Sequence, residues 1–362
     1  MENTIKEVDF TKIARATLDK KTIIFTGPEL TVNFGKPDNM VQSFQKIVTD
    51  CPTGLTLNYR QNDNFMIFGD KRSKIYGVDK MVAFFSSDFK NPAVNLLSEI
   101  PFHLLVNTTP DNTITQTFTD KNFLATSNFY NYLNQRVVDS VPSTENPFIY
   151  NIFGSINDVE STIFSYSDLF AYIKSLNAYE FLPGFLKDEL KKHAEHILFL
   201  GIDFEKWYYQ ILLNILKLDV DPCFQYAVSG GNPDHTFKTL YENHFQITFI
   251  NNNVQEFIQQ LHAAFKPEQL RKPAEAAQVP KKYLKNNMIR FLSAAYNATD
   301  FETLCLLNFE EVHNDFTPEQ SQTSRINKLL EYVIRTQSYD KLLSAGKEDN
   351  PVQFERYMPY FE

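Results

Sequence analysis

Short apolar runs that break off at a small or polar residue recur along the first 250 residues, and they constrain the fold more tightly than any other feature. Residues 22–26 read Thr-Ile-Ile-Phe-Thr and stop at Gly27-Pro28. Residues 102–107 read Phe-His-Leu-Leu-Val-Asn and run into Thr108-Thr109-Pro110-Asp111. Residues 148–153 stop at Gly154-Ser155, and the run from His196 to Leu200 stops at Gly201. Two more runs cover 224–228 and 246–250. Such runs are too short for core helices and rich in β-branched and aromatic residues, so they read as buried strands. Segments with apolar residues at helical spacing separate them. Strands alternating with helices argue for an α/β domain with a largely parallel sheet.

Helices are expected over residues 8–19, from Asn39 as a cap through Val48, and over 73–89, 166–176, 204–218, 236–242 and 254–265. Pro183 opens another, through residue 192. Residues 65–69 read either as a strand or as an extended loop. In a parallel sheet, ligands bind where the strands end at their carboxyl side. The loops after Thr26, Val106, Phe153, Leu200 and Ile250 would therefore line a nucleotide crevice.

The character changes further on. Residues 266–286 are rich in Pro, Ala and Lys and read as a solvated linker, with Arg271 among its charges. Residues 287–362 carry only helical patterning: Met288, Phe291, Leu292, Ala295 and Tyr296 on one face, then a helix beginning at Asp300, then Ile326, Leu329, Leu330 and Val333. Thr317-Pro318-Glu319 opens that third helix, and a short final helix over 342–345 stops at Gly346. The expected organisation is thus an α/β domain over 1–265, a linker over 266–286 and a small all-helical domain over 287–362.

A net charge of −9 disfavours nucleic acid, because phosphate contacts need clustered Lys and Arg. The three cysteines, Cys51, Cys223 and Cys305, lie far apart without Cys-x-x-Cys spacing, which excludes a zinc ribbon and suits a reducing cytoplasm. No apolar run is long enough to span a bilayer, and the first residues lack a signal-peptide core, so no membrane association is expected. His193 and His196 flank Glu195 without the His-Glu-x-x-His spacing of a zinc protease, and Ser229-Gly230-Gly231 lacks the lysine of a P-loop.

Several stations in residues 20–265 resemble the sirtuin-like, Rossmann-type NAD-consuming domains of prokaryotic immune systems. Gly27, Pro28 and Glu29 are similar to the loop that cradles the NAD pyrophosphate, although Pro28 supplies no N–H. Thr108, Thr109 and Asp111 resemble the family's Thr-Thr-Asn-x-Asp loop, with Pro110 at the Asn place and Asn107 or Asn112 as substitutes only if the loop is rerouted. The run 148–156 resembles the strand that carries the catalytic His, whose place Asn151 holds, followed by Gly154 and Ser155. An amide cannot accept a proton near neutral pH, though it can hydrogen-bond a ribose. Gly201, Asp203 and Trp207 match the run that meets the adenosine ribose, and Asn251 falls where the family contacts adenine. Asp203 also reads as a helix N-cap.

The resemblance implies NAD as substrate or ligand, catalytic roles for Asn151, Asp111 and Asn112, and no metal. Without four zinc-binding cysteines, protein deacetylation is not expected. The helical end resembles effector-associated, death-domain-like adaptors, which implies self-association or a partner with a matching module. Two functions remain: an NAD-cleaving effector gated through that adaptor, and a non-catalytic scaffold that binds a nucleotide and recruits a partner.

Overall fold

The computed structural model describes residues 8–36, 38–89, 91–133, 142–178, 188–190, 194–216, 223–230, 234–274, 285–317, 320–336 and 338–357. Proximity along the backbone separates two units, Met1–Glu275 and Ala276–Glu362.

Seven strands of the first unit form one sheet: β1 (Thr22–Thr26), β4 (Leu104–Asn107), β5 (Thr126–Phe129), β6 (Phe148–Asn151), β7 (His196–Leu200), β8 (Phe224–Val228) and β9 (Ile247–Ile250). They lie in the order β5-β6-β4-β1-β7-β8-β9, and every pairing is parallel. This is the Rossmann-like arrangement expected from the alternation. The chain leaves β1 toward β4 on one side and returns to β7 on the other, so the direction of winding reverses at β1.

The strand residues divide between two cores because successive side chains point to opposite faces. Ile23, Phe25, Leu104, Val106, Tyr150, Ile197 and Phe199 face one way, against α6 (Tyr166–Ala178), α7 (Trp207–Leu216) and α8 (His235–His244). Ile24, Leu105, Ile149, Leu198 and Leu200 face the other, against α1 (Phe10–Leu18), α4 (Pro92–Glu99), α5 (Thr113–Asp120) and α9 (Val254–Ala263). With both faces covered, the inner strands are mostly apolar rather than alternating, as read from the sequence.

A smaller module interrupts the path from β1 to β4. It holds α2 (Asn39–Thr49), the antiparallel hairpin of β2 (Leu57–Arg60) and β3 (Phe65–Phe68), and α3 (Lys71–Phe85). Residues 65–68 are thus a strand. The Met66 N–H donates to the Phe164 carbonyl (2.9 Å) and joins this hairpin to the segment before α6.

Several local expectations need correcting. Asn39 is not a cap: Asp38 stands at that position, and Asn39 Nδ2 donates to the Val32 carbonyl (2.6 Å). The expected helix 73–89 ends at Phe85, and α4 begins separately where Asn91 accepts the Ala93 and Val94 N–H groups ahead of Pro92. The helix opened by Pro183 lies outside the described residues apart from 188–190.

Residues 266–274, expected as the start of a solvated linker, pack on the first unit. Arg271 is only 8% exposed. Its guanidinium donates to the carbonyls of Ser98 (3.0 Å), Ile100 (3.1 Å), Phe102 (3.0 Å), Thr144 and Glu145 (3.3 Å). It also lies over the Phe118 and Phe102 rings. Burial pushes its pKa down to about 10.

The second unit is all helical among the described residues: α10 (Lys285–Ala295), α11 (Ala298–Asn308), α12 (Glu310–Asn314), α13 (Gln322–Thr336), α14 (Tyr339–Asp349) and α15 (Pro351–Tyr357). Phe291, Phe301, Cys305, Ile326, Leu329 and Leu342 form its core. Burial pushes the Cys305 thiol up to about 12, so it behaves as a small apolar group. α11 begins at Ala298 rather than Asp300, and Asn297 caps it by accepting the Asp300 N–H (3.0 Å). Gly346 does not stop a helix. It sits inside α14, where a Cβ would come within 2.7 Å of the Phe291 ring, so glycine answers a packing need. No helix among the described residues is long and apolar enough to cross a membrane.

Candidate functional site

Three adjacent strands end level with one another on polar residues. Thr26 of β1 pairs with Asn107 of β4, and Asn107 pairs with Asn151 of β6. All three are buried. Buried polar groups need partners, and here they supply one another. Asn107 is the hub. Its Oδ1 accepts from Thr26 Oγ1 (3.0 Å) and Thr109 Oγ1 (3.0 Å). Its Nδ2 donates to the Thr109 carbonyl (2.8 Å) and, at longer range, to Asn151 Oδ1 (3.4 Å). Thr31 Oγ1 lies 3.2 Å from Thr109 Oγ1. Thr108 Oγ1 donates to the Thr26 carbonyl (2.9 Å) and lies 3.1 Å from the Tyr209 hydroxyl.

Asn151 and Asp111 meet at the edge of this network. Asn151 Nδ2 donates to the Asp111 carbonyl (3.4 Å). Asp111 is 2% exposed, and its Oδ1 accepts the Thr113 N–H (2.9 Å) at the start of α5. Its Oδ2 is buried without a partner. An unsatisfied carboxylate oxygen is among the more expensive groups a fold can bury. Among the described residues, the other ionisable group bonded into the network is the Tyr209 phenol, whose pKa burial raises. Among the described residues, the buried histidines of the sheet region, His103 and His196, sit at the opposite, amino ends of β4 and β7.

Beside the network lies an aromatic cavity of about 70 Å³. Pro28, Thr108, Thr109 and Pro110 line one part of it, and Phe65, Phe153, Tyr208 and Tyr209 another. The hairpin contributes Phe65, which contacts Tyr208 (5.4 Å between ring centres). At the hairpin tip, Lys206 Nζ donates to the Asn62 carbonyl (2.8 Å) and pairs with Asp203 Oδ2 (3.3 Å). Asp203 is half-exposed and accepts the Glu205 N–H (3.1 Å), so it caps a turn before α7 rather than the helix itself.

The Gly27–Glu29 loop is engaged with the Gly201 loop instead of presenting free donors. The Gly27 N–H donates to the Leu200 carbonyl (2.9 Å) and the Glu29 N–H to the Gly201 carbonyl (3.2 Å). A Cβ on Gly27 would lie 2.3 Å from the Gly201 oxygen, and Gly201 has φ +74 with a Cβ position 2.7 Å from the Leu30 nitrogen. Both glycines permit the two loops to interlock. In this arrangement the expected pyrophosphate cradle has its donors already spent. Glu29 accepts the Gly230 N–H, and burial, reinforced by Asp203, raises its carboxyl pKa.

The remaining sequence-selected residues fall into two groups. Gly154, with φ +86, packs against Ser161, and the Ser155 N–H donates to Ser161 Oγ (3.0 Å), beside the Asn151 strand end. Asn112 turns away from the network: its side chain and that of Asn157 donate to each other (3.0 and 3.2 Å). Asn251 is exposed beyond β9, five inter-strand steps from Asn151, or roughly 24 Å at standard strand spacing. It does not share the site. Tyr208 and Tyr209 were not assigned to the site from the sequence, and Asn107 entered only as a substitute for the family's Asn on a rerouted loop; an amide as the last residue of an otherwise apolar strand was a further signal for it.

Among the described residues no group of three His, Cys, Asp or Glu could hold a metal ion. No curated protein matches the chain. The span from the residue before β4 to the end of β9, residues 103–250, matches the family model described as SIR2-like domain, which supports a sirtuin-like domain on this Rossmann-like sheet.

Proposed function

We propose that the sirtuin-like domain binds an NAD-type dinucleotide at the carboxyl ends of β1, β4, β6 and β7 and hydrolyses its nicotinamide–ribose bond. The observation that carries this reading is Asp111: a buried carboxylate oxygen without a partner, beside Asn151 at the level strand ends. Where Asn151 cannot take a proton, Asp111 can. In this reading water attacks the ribose carbon as nicotinamide departs with the bonding electrons. Asp111 accepts a proton from that water, and the products are ADP-ribose and nicotinamide. Asn151 orients the sugar by hydrogen bonding, and Asn107 holds Asn151 in place. The spent donors of the Gly27 loop and the small aromatic cavity suit a resting form that opens on activation. The helical unit then serves as the docking module that delivers activation, within a bacterial conflict system and in the cytoplasm.

The test measures NAD binding and nicotinamide release by the full chain, beside Asp111→Asn and Asn151→Ala. Loss of the base should slow release by about 10²–10⁴-fold with binding retained. Equal release from Asp111→Asn refutes Asp111 as the base. Absence of NAD binding at millimolar concentration, with any activating partner present, refutes the nucleotide reading. The lack of a histidine bonded into the network among the described residues favours one alternative, a nucleotide-binding scaffold that recruits a partner. Binding without release, in every variant and with any activating partner present, would select it.

A further inference from the structure

The aromatic cavity beside the strand-end network is walled on one side by the β2–β3 hairpin. Asn64 and Phe65 of the hairpin line it together with Thr108, Thr109, Tyr208 and Tyr209. Phe65 is 5% exposed, and its ring lies 5.2 Å from that of Tyr166 and 5.4 Å from that of Tyr208. It stands in the cavity as a stopper. The hairpin that carries it is anchored unevenly. At its base, Met66 is fully buried and its N–H donates to the Phe164 carbonyl (2.9 Å). At its tip, Gln61 and Asn62 are exposed.

Two side chains from outside the hairpin hold that tip. Lys206, just ahead of α7, donates from Nζ to the Asn62 carbonyl (2.8 Å) while pairing with Asp203 Oδ2 (3.3 Å). The Lys206 side chain is only 14% exposed, low for a lysine, so its bond to the tip is made largely out of water and is stronger than a surface contact. Tyr166, the first residue of α6, donates its hydroxyl to Asp63 Oδ2. A further contact, Gln45 Nε2 to Gln61 Oε1 (3.1 Å), joins two exposed neutral amides and competes with water.

We propose that residues 60–65 form a flap over the strand-end site, with Phe65 as its stopper and Lys206 and Tyr166 as its catch. Release of the two catch bonds lifts Phe65 and widens the cavity, while Met66 keeps the base of the hairpin in place. The flap as a gate does not depend on which ligand enters; its part in NAD turnover rests on the proposed NAD chemistry.

The experiment is nitration of the full chain with tetranitromethane, the modified tyrosines being located by mass spectrometry. Tyr209, 3% exposed, reports the cavity; Tyr241, 0% exposed and outside the cavity lining, is the reference. Lys206→Met keeps the stem and removes the donor, and Tyr166→Phe keeps the ring and removes the hydroxyl. Each should raise Tyr209 nitration about tenfold, and the double variant more, with Tyr241 unchanged. A double variant in which Tyr209 reacts as slowly as in the parent overturns the catch. Equal rises at Tyr209 and Tyr241 report general loosening and overturn the flap. NAD should bind the double variant at least about fivefold more tightly than the parent. Equal NAD binding by the two overturns the flap as the gate of the NAD site. A reactive Tyr209 without NAD binding in any variant, even with any activating partner present, upholds the flap and removes the NAD reading instead.

Discussion

Arg271 offers the sharpest test of how the first unit holds its chain end. Replacing it with Ala strips donors from the carbonyls of Ser98, Ile100 and Phe102, all inside the fold. Each buried carbonyl left unpaired costs about 1–3 kcal/mol, less where water enters the vacated space. The two ring contacts, at 5.1 and 5.3 Å, add about 1–2 kcal/mol together. Opposing this, the guanidinium no longer has to be buried as an ion. Its pKa falls from 12.5 to about 10, which at about 1.4 kcal/mol per decade corresponds to roughly 3.5 kcal/mol recovered. The net loss centres near about 4 kcal/mol, a large share of a typical domain stability of about 5–15 kcal/mol. Trp207, the single tryptophan, lies in α7 and reports the first unit alone in urea unfolding followed by fluorescence. Arg271→Lys should recover less than half of the loss, because a point charge cannot fork to carbonyls spread across two chain segments. A loss below about 1 kcal/mol for Arg271→Ala, or full recovery by Lys, would refute the reasoning and return residues 266–274 to the role of a solvated linker.

Two further substitutions probe the packing. Gly346→Ala removes a helix-weakening glycine but drives a methyl to 2.7 Å from the fully buried Phe291 ring. The clash should win and destabilise the second unit by about 1–3 kcal/mol, read by circular dichroism of the full chain on heating; a rise in stability would show that the ring yields freely. His196, 1% exposed with both ring nitrogens unpaired, stacks on Phe224 and Tyr226. Burial, with Lys12 adding, lowers its pKa below 6.5. The unfolded chain therefore binds the proton first, so this stability is fully present above about pH 6.5 and is lost as pH falls from there toward the folded-state pKa. His196→Phe should flatten the stability profile between pH 7 and 5, and an unchanged acid slope would count against the assignment.

Much of the fold was legible because short apolar runs report burial directly. β1, β4, β6, β7, β8 and β9 each lie within the runs read as strands, since a strand covered on both faces is mostly apolar and keeps few polar side chains, several of them at its ends. β5 escaped notice: at the sheet edge, Thr126–Phe129 is half-polar and only partly buried. α4 and α5 were also missed, because each is eight residues long and too short to show a periodic stripe.

The site divides in the same way. Thr108, Thr109 and Asp111 were recognisable along the chain as polar residues where an apolar run stops, whereas Asn151, inside the run 148–153, was singled out by the resemblance. That Asn107 bonds to Thr26, Thr109 and Asn151 together could not be read there, because it depends on which strands are neighbours and on a register that brings three strand ends level. Gly27 and Gly201 were both visible as glycines, yet only the approach of two loops distant in sequence shows that their missing side chains serve each other. The local pattern of apolar and polar residues therefore determined the elements and their order along the chain. Tertiary structure alone decided which donors are already spent, which carboxylate oxygen is left without a partner, and that Arg271 lies inside rather than in water, because each depends on contacts between segments that the sequence keeps far apart.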